Sequence, residues 1–144
     1  MEKNNNALFF TCSLIEYIAR ATKNRRSAVV QYLGKDVERI YHYADVFHCE
    51  PIEKVADDFI ERNQIGQGDF DNISICKYTV PDYWDIGEVF ERLIEDSYLE
   101  CDVVKGIETV YSSWIADRIL NFNSDLYYQS RDYIAACFKE GMLL

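Results

Sequence analysis

The residues of this chain that could do chemistry are few, and their spacing does not suit it. The two histidines are His42 and His48. Six residues apart, they do not share a helical face as an i, i+4 metal-binding pair does. His48, at the end of its helical stretch, suits a charge–dipole contact with the helix C-terminus. The five cysteines, Cys12, Cys49, Cys76, Cys101 and Cys137, are odd in number and contain no C-x-x-C pair. This argues against both a disulfide framework and a structural zinc site. Cys12, Cys101 and Cys137 lie in or beside apolar helical stripes and read as small core residues. The Asp57-Asp58-Glu61 cluster could hold a cation or act as an acid–base pair, but its spacing reads as a solvated helix face. Asp69-x-Asp71-Asn72 opens like a calcium loop, yet Ser74 and Val80 stand where that loop needs Gly and Glu. No nucleophile elbow, Walker A or dinucleotide fingerprint occurs, and Gly66-Gln67-Gly68 is too short to cradle a phosphate. The expectation is a protein with no catalytic residues, no cofactor and no metal requirement, and so not an enzyme.

Charge gives a sharper signal. The formal net charge is −10, yet residues 17–35 carry Arg20, Lys23, Arg25, Arg26 and Lys35 without a carboxylate. General affinity for nucleic acid or an anionic membrane is unexpected on a surface this acidic. A local basic patch remains as the one plausible phosphate contact. Arg20, Lys23, Arg25 and Arg26 bracket a turn between two helices, and they are candidate partner-binding residues. Their repulsion must be relieved by acids elsewhere in the fold or by an anionic partner.

The elements that would position these groups are helical almost throughout. Leu8, Cys12, Ile15 and Ala19 define one stripe, which Phe9, Phe10, Leu14, Tyr17 and Ile18 widen nearly all round. Such a helix is buried centrally or by a partner, and a homodimer is expected on that ground. Ser27 suits an N-cap and Gly34 a stop for a short second helix. Asp36 then caps a helix through Phe47, and Pro51 opens one carrying Ile52, Val55, Ala56, Phe59 and Ile60. Residues 64–84 break the pattern. Ile73–Val80 is β-branched and aromatic, either extended or a loop over the helices. Asp85 and Glu88 fit a D-x-x-E capping box for a helix whose stripe runs from Ile86 to Tyr98. Asp102 caps a helix with Val103, Ile107, Val110, Tyr111, Trp114, Ile115 and Arg118 inward. Ser130 caps a last helix ending near Gly141. Tyr83 and Trp84, just before the helix at Asp85, are candidate partner-binding aromatics; the alternative is a hydrophobic staple closing the helix entry. The pair of helices over 27–47 has the spacing of a helix-turn-helix at Val30, Gly34 and Ile40. However, its second helix would start Asp36-Val37-Glu38 and present acids to phosphate.

Residues 7–19, ALFFTCSLIEYIA, resemble the opening of short clostridial-type bacterial proteins of unknown function, often encoded beside ADP-ribosyltransferase-like toxins. Tyr43-Ala44-Asp45-Val46-Phe47-His48 and Val55-Ala56-Asp57-Asp58-Phe59-Ile60 are similar to the second half of those proteins. The resemblance covers residues 7–61 and carries over no catalytic residue. It implies an all-helical accessory or antitoxin-like protein.

Together these features predict one all-α domain over 1–144, a bundle of six or seven helices. The expected function is a non-enzymatic bacterial interaction or regulatory protein of an antitoxin-like kind, with a protein partner. A DNA-binding regulator using 20–39 and an enzyme of unrecognised type are the alternatives. No apolar run approaches the roughly 20 residues that span a bilayer. Met1-Glu2-Lys3-Asn4-Asn5-Asn6 lacks the order of a secretory signal. A cytoplasmic protein is therefore expected.

Overall fold

A computed structural model describes residues 5–144; the first four residues, part of the reading against a signal, lie outside it. The described residues contain nine α-helices and no strand. α1 (Asn6–Thr22) starts where the Asn5 side chain accepts the Leu8 amide at 3.0 Å. Eleven of its residues are buried, including Leu8, Phe10, Leu14, Ile15 and Ile18. α2 (Arg26–Leu33), α3 (Asp36–His42), α4 (Ala44–Phe47) and α5 (Ile52–Asn63) wrap one side of it, and α6 (Tyr83–Ser97) lies along the other. α7 (Val103–Tyr111) and α9 (Arg131–Glu140) pack on α6, and α8 (Trp114–Ile119) packs on α7. Buried apolar residues from α1 through α9 form one continuous cluster.

The central place of α1 explains why it is apolar nearly all round. Most of its cover comes from its own chain, so its all-round apolarity does not by itself require a dimer. Only Phe9 and Tyr17 of its large apolar residues remain part-exposed. The approach of α6 is close because Gly87 faces Ser13. A Cβ at Gly87 would meet the Ser13 Oγ at 2.0 Å and its Cα at 2.9 Å.

Seven helices are expected at most, and two of them split. The stretch 36–47 breaks at Tyr43, which leaves helical geometry at φ −113°, ψ 23°. The stretch 103–118 breaks at two serines. Ser112 Oγ donates to the Glu108 carbonyl at 2.7 Å, and Ser113 Oγ to Val110 at 2.7 Å. Side chains that satisfy these carbonyls compete with helix continuation. α8 is therefore a separate helix, and Arg118 is exposed rather than inward.

Several caps also move. The capping box of α6 joins Asp82 and Asp85, one turn before the expected Asp85–Glu88 pair. Asp36 is the first residue of α3 and makes no cap; Arg62 Nε and Asn63 Nδ2 hold its carboxylate at 2.9 and 3.0 Å. α2 begins at Arg26, so Ser27 does not cap it. Asp102 makes no capping hydrogen bond. Ser130 caps α9 as expected, and Gly34 ends α2 at φ +52°.

Residues 64–82 form a loop fastened over the helices. Gly68 N donates to Thr22 O at 2.8 Å and Phe70 N to Lys23 O at 2.9 Å. Asn72 Nδ2 donates to Leu120 O at 2.7 Å. Asn123 receives the Lys77 amide and donates to Ile75 O. Ile73–Val80 is thus a loop and has no strand partner among the described residues. No helix of the described residues is long and apolar enough to cross a membrane.

Candidate functional site

The basic stretch does not emerge as one patch. The αL turn at Lys23 (φ 53°) reverses the chain after α1 and brings the start of α2 back beside Glu16. Glu16 is fully buried, and Arg26 is 2% exposed. The Arg26 fork meets the carboxylate with Nε–Oε1 at 2.7 Å and Nη2–Oε2 at 2.5 Å. Arg20 Nε reaches the same Oε2 at 2.7 Å, and its Nη2 donates to Pro81 O at 2.6 Å. Burial alone would push the Glu16 carboxyl up; the Arg26 and then Arg20 guanidiniums more than offset it and hold it below its ordinary value. Two of the four candidate cations are therefore spent on Glu16, Arg26 buried and Arg20 part-exposed. Arg25 lies over the Phe70 ring at 4.7 Å and makes a loose, exposed contact with Asp117 at 3.4 Å. Lys23 is exposed and makes no ion pair among the described residues. The turn thus offers one unengaged cation to solvent, which is little for a phosphate surface.

Glu16 is the residue that sequence reasoning misses. A basic stretch counted from residue 17 begins one position past its neutralising acid. The i, i+4 spacing of Glu16 and Arg20 is the legible signal. The Arg26 contact is not legible, because a turn and a new helix intervene.

Tyr83 and Trp84 fare differently. They enter the first turn of α6 and lie against α1, forming a stripe of rings in contact. Tyr17 meets Tyr83 edge-on at 5.1 Å. Tyr83 and Trp84 are 5.2 Å apart, Trp84 and Phe9 5.5 Å, and Trp84 and His48 6.3 Å. Phe10 lies beneath His48 at 5.3 Å and is buried. Phe9, Tyr17, Tyr83 and Trp84 are each part-exposed, and His48 is exposed. Neither ring is a simple staple buried under the helix entry.

Along one edge of this stripe runs α5. Burial, then the carboxylates of Glu53 and Asp57, then Tyr83 push the Tyr17 phenol up. Glu53, Asp57 and Glu61 fall at i, i+4 and i+8 on α5 and are exposed. None of the three makes an ion pair among the described residues; Lys54 turns instead to Glu50 and Asp58.

Other reactive groups are scattered. Cys12 is buried, and burial pushes its thiol up to about 12. Cys137 is buried, but Cys101 is exposed in a short 3-10 turn and is not a core residue. Among the described residues, no group of three His, Cys, Asp or Glu side chains could hold a metal ion. An open cleft of about 740 Å3 is lined by Lys77, Tyr78, Asn123, Asp125 and Tyr128. Its Asn123 is occupied in fastening the loop.

No protein-family model, curated protein or solved structure matches this chain.

Proposed function

We propose that this protein is a non-enzymatic interaction module that acts, in antitoxin-like fashion, by binding a protein partner. The observation that carries this reading is the stripe Phe9, Tyr17, Tyr83, Trp84 and His48, rings linked by successive contacts on α1, α6 and the end of α4, four of them part-exposed and His48 exposed. Aromatic side chains supply much contact area for little ordering entropy, and they dominate interface energetics. Contiguous exposed apolar surface is itself a mark of interaction sites. The resemblance of residues 7–61 to proteins encoded beside toxins supports the antitoxin-like form of the reading.

The test is affinity capture from the native host with the wild-type protein and with a Tyr83→Ser, Trp84→Ser variant whose fold is checked by circular dichroism. A partner retained by the wild type and lost from the folded variant is expected. Identical capture by both proteins would refute the assignment of the stripe.

A further inference from the structure

We propose that the partner contributes a basic amphipathic helix, its apolar side on the Tyr17–Tyr83–Trp84 rings and its Lys or Arg side along Glu53, Asp57 and Glu61 of α5. This deepens the interaction-module reading and rests on it.

The sequence suggests an anionic partner for a basic patch. The fold inverts that sign. Arg26 and Arg20 are turned onto Glu16 inside the molecule. Arg62, the cation near the end of α5, is held by Asp36. What borders Tyr17 on the α5 side is the carboxylate pair Glu53 and Asp57, without cations of their own, and Glu61 continues their spacing one turn further along α5. Like charges at i, i+4 on a helix repel one another. A cationic partner relieves that repulsion on docking, and complementary potentials steer its approach.

The row from Glu53 to Glu61 runs eight residue steps, about 12 Å along the α5 axis. That is just over two helical turns of a partner. A partner helix with basic residues at i, i+4 and i+8 matches the row one for one, and its other face meets the rings. A helix laying its apolar face on such a surface is a recurrent mode of recognition. A cation directed over the Trp84 face gains further attraction. A second copy of this chain fits poorly, because it would bring the same acidic row against itself.

The probe is a synthetic 15-residue amphipathic peptide with Lys at i, i+4 and i+8 and Leu on the opposite face. The control is the same peptide with Glu replacing each Lys. Binding is followed by two-dimensional NMR, which separates the Trp84 indole from that of Trp114. The basic peptide is expected to shift the Trp84 indole and the Tyr17 and Tyr83 signals, with affinity that falls steeply as salt rises. The Glu53→Gln, Asp57→Gln protein is expected to bind about tenfold more weakly, with a melting temperature no lower than that of the wild type, because both side chains are exposed and unpaired and their mutual repulsion is removed. Equal binding of the acidic peptide, equal binding by the double variant, or shifts confined to another acidic surface would each overturn the proposal. So would a host partner that requires Tyr83 and Trp84 but binds the Glu53→Gln, Asp57→Gln protein unchanged; that result leaves the interaction-module reading intact.

Discussion

At the scale of single residues, Glu16 sets the electrostatics of the interior. One buried carboxylate holds two guanidiniums, and removing it strands both. Breaking a buried pair from one side costs about 3–5 kcal/mol, far more than an exposed pair contributes. Glu16→Gln is therefore expected to lower the unfolding free energy by about that amount in urea titrations. Adding Arg26→Met should recover part of the loss, so the two changes will not be additive. Glu91 on α6 behaves in the opposite sense. Burial, and then the neighbouring Glu95, push its carboxyl up from 4.5 to about 7. The folded protein then holds a proton there that the unfolded chain releases. Its contribution is fully present below about pH 4.5 and is lost as pH rises through 7. Glu91→Gln should flatten that decline and raise stability at pH 8 by about 1–2 kcal/mol, allowing for solvent screening. Thermal melts between pH 4.5 and 8 check it; a variant with the wild-type pH slope would contradict it.

Between elements, the tightest constraint is the contact of α1 with α6. Gly87 lets the two backbones meet, and a Cβ at this position would fall 2.9 Å from both the Cα and the N of Ser13. Those are backbone atoms with no freedom to swing aside. Gly87→Ala should cost at least the roughly 1–3 kcal/mol typical of overpacking. Ser13→Ala should cost nothing, because the Ser13 Oγ is buried with no hydrogen-bond partner. Combining the two should not restore stability, since the backbone clash outlives the hydroxyl. Full rescue in a denaturant titration would show that the side chain alone sets the spacing. The far side of α6 is secured by charge. Arg131 of α9 grips Asp96 at 2.7 and 2.8 Å and Glu95 at 3.2 Å.

For the molecule as a whole, the question is whether the chain stands alone. α1 is the reason to expect a dimer, and it is covered by α2 to α6 of its own chain. What stays open, the aromatic stripe, is bordered by acids that repel a second copy. Light scattering at micromolar concentration is expected to return the mass of one 16.9 kDa chain. A dimer mass that collapses on Trp84→Ser would mean that the stripe is a self-association surface.

Local signals are enough for the helical character of this chain. Outside the loop over 64–82, apolar positions recur every three to four residues from Leu8 to Phe138, and Ser130 and Gly141 start and stop the last helix as such residues do elsewhere. Periodicity also marks α1 as a helix needing cover on most sides, without saying who provides it. The splits at Tyr43 and at Ser112–Ser113 are not legible, because a stripe continues in sequence whether or not the axis bends. Only the tertiary structure decides the fate of the charges. The sequence shows Arg20, Lys23, Arg25 and Arg26 as neighbours; the turn at Lys23 sends Arg26 inward to Glu16 and leaves Lys23 outside. Burial and pairing depend on direction in space, which charge order along a chain does not encode. The same holds for Tyr17, Tyr83 and Trp84, which become one surface only when α6 lies down on α1.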